Sequence, residues 1–326
     1  MLRRNSTAPA PAGWRASIIE FAGLLLALAV MVAWFGFTTQ NFFTVETFRS
    51  IANQAPAITL AATGMTFVLL IGGIDLSAGA VLGLAGAVLG VVVLKDIPLA
   101  LPMALLAALG AGALCGLANG AISVRWAVPA FIVTLGMMEI ARGGAYLVTD
   151  SRTQYIGSPI GWIADASLFG FSLPFAIALA TVVVAQILLN RTVFGRYVKA
   201  IGANEEAVRL AGVDPRPIKV AVYVLSGTLA AGGAILQTAR LQSADPNAGY
   251  GMELQAIAAA VIGGTSLLGG SGSAVGTFLG VLIMGVLNTG LAQSGAEEPV
   301  KRLITGLVIV LAVLADYYRR RARRAR

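Results

Sequence analysis

Few side chains in this sequence could do chemistry, and together they do not make a catalyst. Histidine is absent, which removes the usual general base and the commonest zinc ligand. The single cysteine, Cys115, lies inside an apolar run and reads as a small packing residue. Gly-x-x-x-x-Gly-Lys-Ser/Thr does not occur, so the chain has no phosphate cradle of its own, and neither a metal nor a cofactor is expected. What remains is a short set of polar residues in or between apolar stretches: Asp75 and Ser77 in GGIDLSAGA, Asn119, and Glu139 with Arg142. A carboxylate beside hydrocarbon is costly, so Asp75 either caps the apolar stretch that follows it or lines or gates a pathway between stretches. Glu139 and Arg142 are three apart, on one helix face, where they can neutralise each other. They are a structural pair or part of a substrate path, and Asn119 carries the same two readings. A lone Asp, one Glu–Arg pair and no histidine make a poor proton relay.

The elements that must position these residues are membrane helices. The chain of 326 residues is 57% hydrophobic and 12% charged, about half the charged fraction of a soluble protein, which is roughly 25%. Its apolar runs are continuous in Leu, Val, Ala and Gly, without the alternation of a barrel strand. The fold class expected is all-α, a polytopic transmembrane bundle of about ten spans. They fall near 17–37, 52–71, 76–94, 99–122, 128–149, 171–189, 219–240, 254–268, 273–293 and 300–316, the eighth being short. Ala27-Leu28-Ala29 resembles a signal cleavage site, but the apolar run continues through Phe35, so the first span is read as uncleaved. The 39 glycines suit close helix packing.

Basic residues set the orientation. With both termini inside, 16 of the 23 Lys and Arg residues fall on the inner side, including Arg3, Arg4, Arg15, Arg125 and the arginine-rich tail. The domains expected are a cytoplasmic segment 1–16, a transmembrane domain 17–316 and a basic cytoplasmic tail 317–326 that touches anionic lipid. The net charge of +8 therefore anchors the chain in a membrane, and no nucleic-acid partner is expected. Polar outer connections at 150–168 and 241–253 carry Tyr155, Trp162 and Tyr250, as interfacial anchors or as contacts for an extracytoplasmic partner. Ile71-Gly72-Gly73 and Ile262-Gly263-Gly264, 191 residues apart, each head a glycine-rich span and suggest two related halves.

The stretch 190–219 is the one long polar interior segment. Within it Asn204 suits an N-cap, and Glu205 and Glu206 suit a first turn. Gly212 and then Pro215 suit a stop. That spacing predicts a helix over about 204–211. Two turns are not stable alone, so the helix lies on its own chain's inner face or inserts into a partner's groove.

The segment Glu206-Ala207-Val208-Arg209-Leu210-Ala211-Gly212 resembles the Glu-Ala-Ala-x-x-x-Gly loop of ABC importer permeases, with Val208 in place of the second alanine. Together with VLLIGGIDLSAG (68–79), VPAFIVTLG (128–136), TVFGRYVKAIGANEEAVRLAGV (192–213) and AIAAAVIGGTSLLGGSGSAVGTFLGVLIMGVLNTGL (256–291), it makes the chain similar to the ribose-type sugar ABC transporter permeases. The resemblance covers most of residues 50–316. It implies a bacterial inner-membrane permease subunit, paired as a homodimer or with a similar permease. A cytoplasmic ABC ATPase would drive it, and a periplasmic sugar-binding protein would supply a pentose, hexose or polyol. It also implies that 204–212 is a coupling helix, with Asn204, Glu205, Glu206, Ala207, Arg209, Leu210 and Gly212 touching the ATPase. Nucleoside or branched-chain amino acid permeases are the nearest alternatives, and the GGIDLS and GANEEAVRLAGVDP phrasing favours sugar. An ion-coupled transporter working alone and a membrane scaffold without transport are further classes.

Overall fold

A computed structural model describes residues 14–95, 97–168 and 171–324. Thirteen helices make up the fold: α1 Trp14–Thr38, α2 Val45–Leu70, α3 Ala78–Val93, α4 Ala100–Arg125, α5 Ala130–Val148, α6 Ser158–Asp165, α7 Leu173–Arg191, α8 Val193–Ala203, α9 Glu205–Leu210, α10 Arg216–Leu241, α11 Met252–Ile262, α12 Ala274–Gln293 and α13 Glu298–Arg324. Four two-residue strands are β1 Gln154–Tyr155, β2 Ser167–Leu168, β3 Phe171–Ser172 and β4 Ser243–Ala244. β1 pairs antiparallel with β4, and β2 with β3. Arg3 and Arg4 of the expected inner segment, and Arg326 of the tail, lie outside the described residues.

The all-helical expectation holds, and each of the ten expected spans coincides with a helix. Six of these are long and apolar enough to cross a membrane: 21–38 in α1, and the whole of α4, α5, α7, α10 and α12. α2 is long, but Arg49, Asn53 and Gln54 dilute its first half. α3 and α11, with 16 and 11 residues, rise only about 24 and 17 Å at 1.5 Å per residue, against about 30 Å of hydrocarbon.

α2 is the central column. Thr44 caps it by accepting from the Thr47 amide at 3.3 Å, Glu46 stands in its first turn, and it is buried throughout from Thr59 to Leu70. α10 packs against it and against α4. On α4, Ala104, Ala108, Gly112, Gly116 and Gly120 recur every four residues and are all buried. This stripe lets the α10 backbone lie directly on α4: a Cβ at Gly120 would stand 2.8 Å from the Val220 Cα, and Gly112 faces Gly227 backbone to backbone. Small residues every fourth position are the usual device for close helix approach in lipid.

α3 and α11 are each preceded by non-helical backbone. After α2 the chain turns at Gly72, whose φ is +76°. The Gly72 amide donates to the Leu69 carbonyl at 2.9 Å and the Gly73 amide to Val68 at 3.0 Å, the paired bonds of a Schellman stop. α11 ends the same way, with Gly264 at φ +91°. There the Gly264 and Thr265 amides donate to Val261 and Ala260, each at 2.9 Å. The left-handed glycine is the second residue of one Ile-Gly-Gly and the third of the other. The shared feature is therefore a capped stop, one residue out of the register that the sequence match sets. Beyond it the halves diverge, with α3 starting at Ala78 and α12 only at Ala274.

The segment 242–251 between α10 and α11 runs as strand and turns along α3, in the opposite sense. Gly90 meets Ala244, Gly83 lies against the Ala248 carbonyl, and Gly79 meets Gly249 and Glu253. Non-helical backbone at membrane depth is tolerated only where protein buries it or where it lines a watery space.

Candidate functional site

Three groups of the sequence-selected residues emerge. The first is Asp75, Ser77 and Asn119, in the break between α2 and α3. Asp75 is 1% exposed. Its Oδ1 accepts from the Ser77 amide at 3.0 Å and from Ser77 Oγ at 2.6 Å, and its Oδ2 accepts from Ser226 Oγ of α10 at 3.0 Å. Asn119 Nδ2 donates to Ser77 Oγ at 2.9 Å. The N-cap position of α3 is Ser77, so Asp75 holds the residue at the cap rather than the helix's own first-turn amides. One carboxylate thus joins the break to α10, and through Ser77 to α4. Ser226 was not apparent in the sequence, because a serine in a membrane helix carries no signal of its distant partner. The Tyr223 hydroxyl and Asn119 Oδ1, both buried, have no hydrogen-bond partner among the described residues.

The second group forms around Arg142 on α5. The expected partner, Glu139, is 3.9 Å away with its side chain 71% exposed. The closer partner is Glu253 in the first turn of α11, at 3.2 Å and 8% exposed. The expected i, i+3 pair is thus present but loose and exposed on its acidic side, while Glu253, a carboxylate held inside the bundle, is the partner that most needs the cation. The Tyr250 ring lies under the Arg142 guanidinium, 4.6 Å from centroid to Cζ, in cation–π contact. Tyr146 donates to Asn247 Oδ1 at 2.6 Å. Arg142, Tyr146, Asn247, Tyr250 and Pro246, with Ala80 and Ala248, line a cavity of about 80 Å3. Glu253 stands one residue before the expected eighth span, in a connection read as outer loop, which is why it was missed.

The third group is the interior polar stretch, which holds more structure than one helix. α8 precedes the one helix that the spacing predicts. It is amphipathic, capped by Thr192, which accepts from the Gly195 amide at 3.1 Å, and it buries Val198 and Ile201. Burial also pushes the Lys199 ammonium on α8 below its ordinary range. One residue later comes α9, within a residue of the predicted bounds. Asn204 Oδ1 accepts from the Ala207 amide at 2.9 Å. At the other end Gly212, φ +83°, closes a Schellman stop through its own amide to Arg209 and the Val213 amide to Val208. Glu205 pairs with Lys219 at 3.0 Å and Glu206 with Arg209 at 3.5 Å. Val208 is buried against its own chain, while Leu210 is 81% exposed and Ala207 and Ala211 face outward. One residue anchors this helix on its own chain, and its small apolar residues stay exposed.

The aromatics of the expected outer connections, Tyr155, Trp162 and Tyr250, are all exposed. Trp162 sits on α6, which buries Ile160 and Ile163 and turns part of the expected loop into a helix.

Residues 47–313 match the family described as branched-chain amino acid transport system / permease component. The chain is 42% identical to the ribose import permease of Escherichia coli strain K12, over 90% of this chain and 92% of that protein. It is 33% identical to the L-arabinose ABC transporter permease of Azospirillum brasilense, over 99% and 97%. It is 34% identical to the fructose import permease of Rhizobium meliloti, over 91% and 85%. No solved structure matches the chain.

Proposed function

The chain belongs to the branched-chain amino acid transport system / permease component family and resembles its ribose-type sugar permeases, and from that premise we propose that it is the membrane-spanning subunit of an ABC importer for a monosaccharide. The pentoses and hexoses named for its relatives, together with polyols, form the substrate class. In this reading the ten apolar segments lie in a bacterial inner membrane, α3 and α11 with non-helical backbone completing their passage, and both termini and 190–219 are in the cytoplasm. A separate ATPase supplies the energy, a periplasmic binding protein supplies the sugar, and a second permease copy, the same or similar, completes the path.

The observation that carries the reading is α9. It is capped at both ends, pinned by Val208, and leaves Leu210 and Ala207 exposed. That is a preformed contact for another protein. Asn204, Glu205, Glu206, Ala207, Arg209, Leu210 and Gly212 form the ATPase-coupling segment. Asp75, Ser77, Asn119, Glu139 and Arg142 belong to the wall of the pathway, the first three as positioning residues that hold the α2–α3 break. The family's description favours a second reading, a branched-chain amino acid permease.

The test is uptake in proteoliposomes holding this chain, its ATPase and its binding protein. Sugar accumulation that needs ATP supports the proposal. Accumulation that persists under an ion gradient with the ATPase left out overturns it.

A further inference from the structure

A groove of about 990 Å3 opens between the first turns of α2 and α11, the last turns of α12 and the start of α13. It lies at the opposite end of α2 from α8 and α9, since α2 enters the groove near Thr47 and ends against Gly202 of α8. Its volume falls in the range of small-molecule sites, about 300–1,000 Å3. Set in a mainly apolar surface, its lining carries several uncharged hydrogen-bonding side chains, among them Gln54, Gln255, Asn288, Thr289 and Gln293. Gln54 donates to Ser50 and Gln293 to Thr47, at 2.9 and 2.8 Å. The side chains of Gln255, Asn288 and Thr289 have no hydrogen-bond partner among the described residues. Polar groups inside membrane helices are costly unless they face a cavity or a partner, and here three unpartnered ones meet in one groove.

Their chemistry selects the ligand. An amide offers two donors and an acceptor, and a hydroxyl offers both. That matches a ligand whose own groups are all donor–acceptor hydroxyls. The charged lining residues are Glu46, Glu298, Lys301 and Arg302, and both cations share Glu298, at 3.8 and 3.4 Å. Tyr250 adds an aromatic wall, suited to the C–H face of a sugar ring. The same ring lines the small cavity that holds Arg142, so it stands between groove and bundle interior.

We propose that this groove is the entry site for an uncharged polyhydroxylated ligand, with Gln255 and Asn288 as hydrogen-bonding residues and Tyr250 as the aromatic partition behind which the path continues toward Arg142. This rests on the importer reading above, and gives the sugar of that reading a site.

The test uses proteoliposomes of the whole complex, with labelled D-ribose, L-arabinose, D-fructose and L-leucine as probes. The wild type is expected to carry at least one of the sugars. The double variant Gln255→Leu/Asn288→Leu is expected to lose at least tenfold of that uptake while still co-purifying as the complex, and Asn288→Gln to retain more of it. Sugar uptake above half of wild type in the double variant overturns the site and leaves the importer reading standing. Loss of co-purification makes the groove a subunit contact and also overturns the site. A wild-type complex that carries none of the three sugars overturns both.

Discussion

Gly202, in the last turn of α8, lies against the backbone carbonyl of Leu70, the last residue of α2. The same carbonyl accepts the Gly270 amide at 2.9 Å. Three elements thus share one carbonyl: the buried column α2, the loop after α11, and the helix that leads into α9. A methyl group at 202 has no room, and its obstacles are backbone atoms that cannot swing aside. Gly202→Ala gains about 1 kcal/mol of helix propensity but loses about 1–3 kcal/mol to overpacking, so the clash decides. The expected result is a lower melting temperature in detergent and weaker ATP-driven uptake. Gly136→Ala, on α5 with open space around it, is expected to leave both intact.

The coupling segment separates stability from docking. Asn204→Ala removes the cap of α9 at a cost of about 1 kcal/mol. Gly212→Ala forces a side chain into a left-handed turn, at about 1–2 kcal/mol. Both are expected to fray α9 and reduce ATPase co-purification in proportion. Leu210→Asp touches nothing inside the chain, so its melting temperature should match wild type while the ATPase is lost from pull-downs. Retention of the ATPase by folded Leu210→Asp would remove Leu210 from the contact.

Arg142 has two acidic neighbours of unequal weight. Arg142→Ala leaves Glu253 charged and unpaired inside the bundle. The expected loss is about 2–3 kcal/mol, at the low end for a broken buried pair because part of Arg142 reaches solvent. Glu139→Ala removes an exposed and distant partner, and is expected to change stability by less than about 0.5 kcal/mol. Thermal melts of the two variants in one detergent check the difference. Equal losses would restore the i, i+3 pair as the principal one.

What the sequence made legible follows from how local each cause is. α9 was readable because Asn204, Glu205, Glu206 and Gly212 carry its start and stop within nine residues. The Arg142–Glu253 pair was not, because 111 residues separate the partners and a nearer carboxylate offered a plausible substitute. α8 is harder to read because its apolar face is short, Val198 and Ile201 beside charged neighbours, and its other close contacts are made by glycines, Gly195 on the Leu189 backbone and Gly202 on Leu70. The Ile-Gly-Gly match marked two real helix stops, but their shared backbone geometry sits one residue apart in the two copies. A text repeat does not record which glycine takes the positive φ.

Asp75 poses the last test, whether its charge or its shape matters. Both carboxylate oxygens are engaged inside the protein, one by Ser77 and the other by Ser226. The Ser77 amide can only donate, so the group facing it must remain an oxygen. Ser226 carries a hydroxyl that can turn and accept instead. Asparagine can meet both demands, with its oxygen toward Ser77 and its amide nitrogen toward Ser226. Asp75→Asn is therefore expected to fold within about 1 kcal/mol of wild type, the worth of one ordinary hydrogen bond, and to keep uptake. Asp75→Ala leaves a buried amide and two hydroxyls without their acceptor, at about 1–3 kcal/mol for each group that finds no other partner. It should lower melting temperature and uptake together. Melts and proteoliposome uptake on the two variants decide the matter. An Asp75→Asn protein that melts like wild type but carries no sugar would show that the path needs the charge itself, and that the hydrogen-bonded break is not its only function.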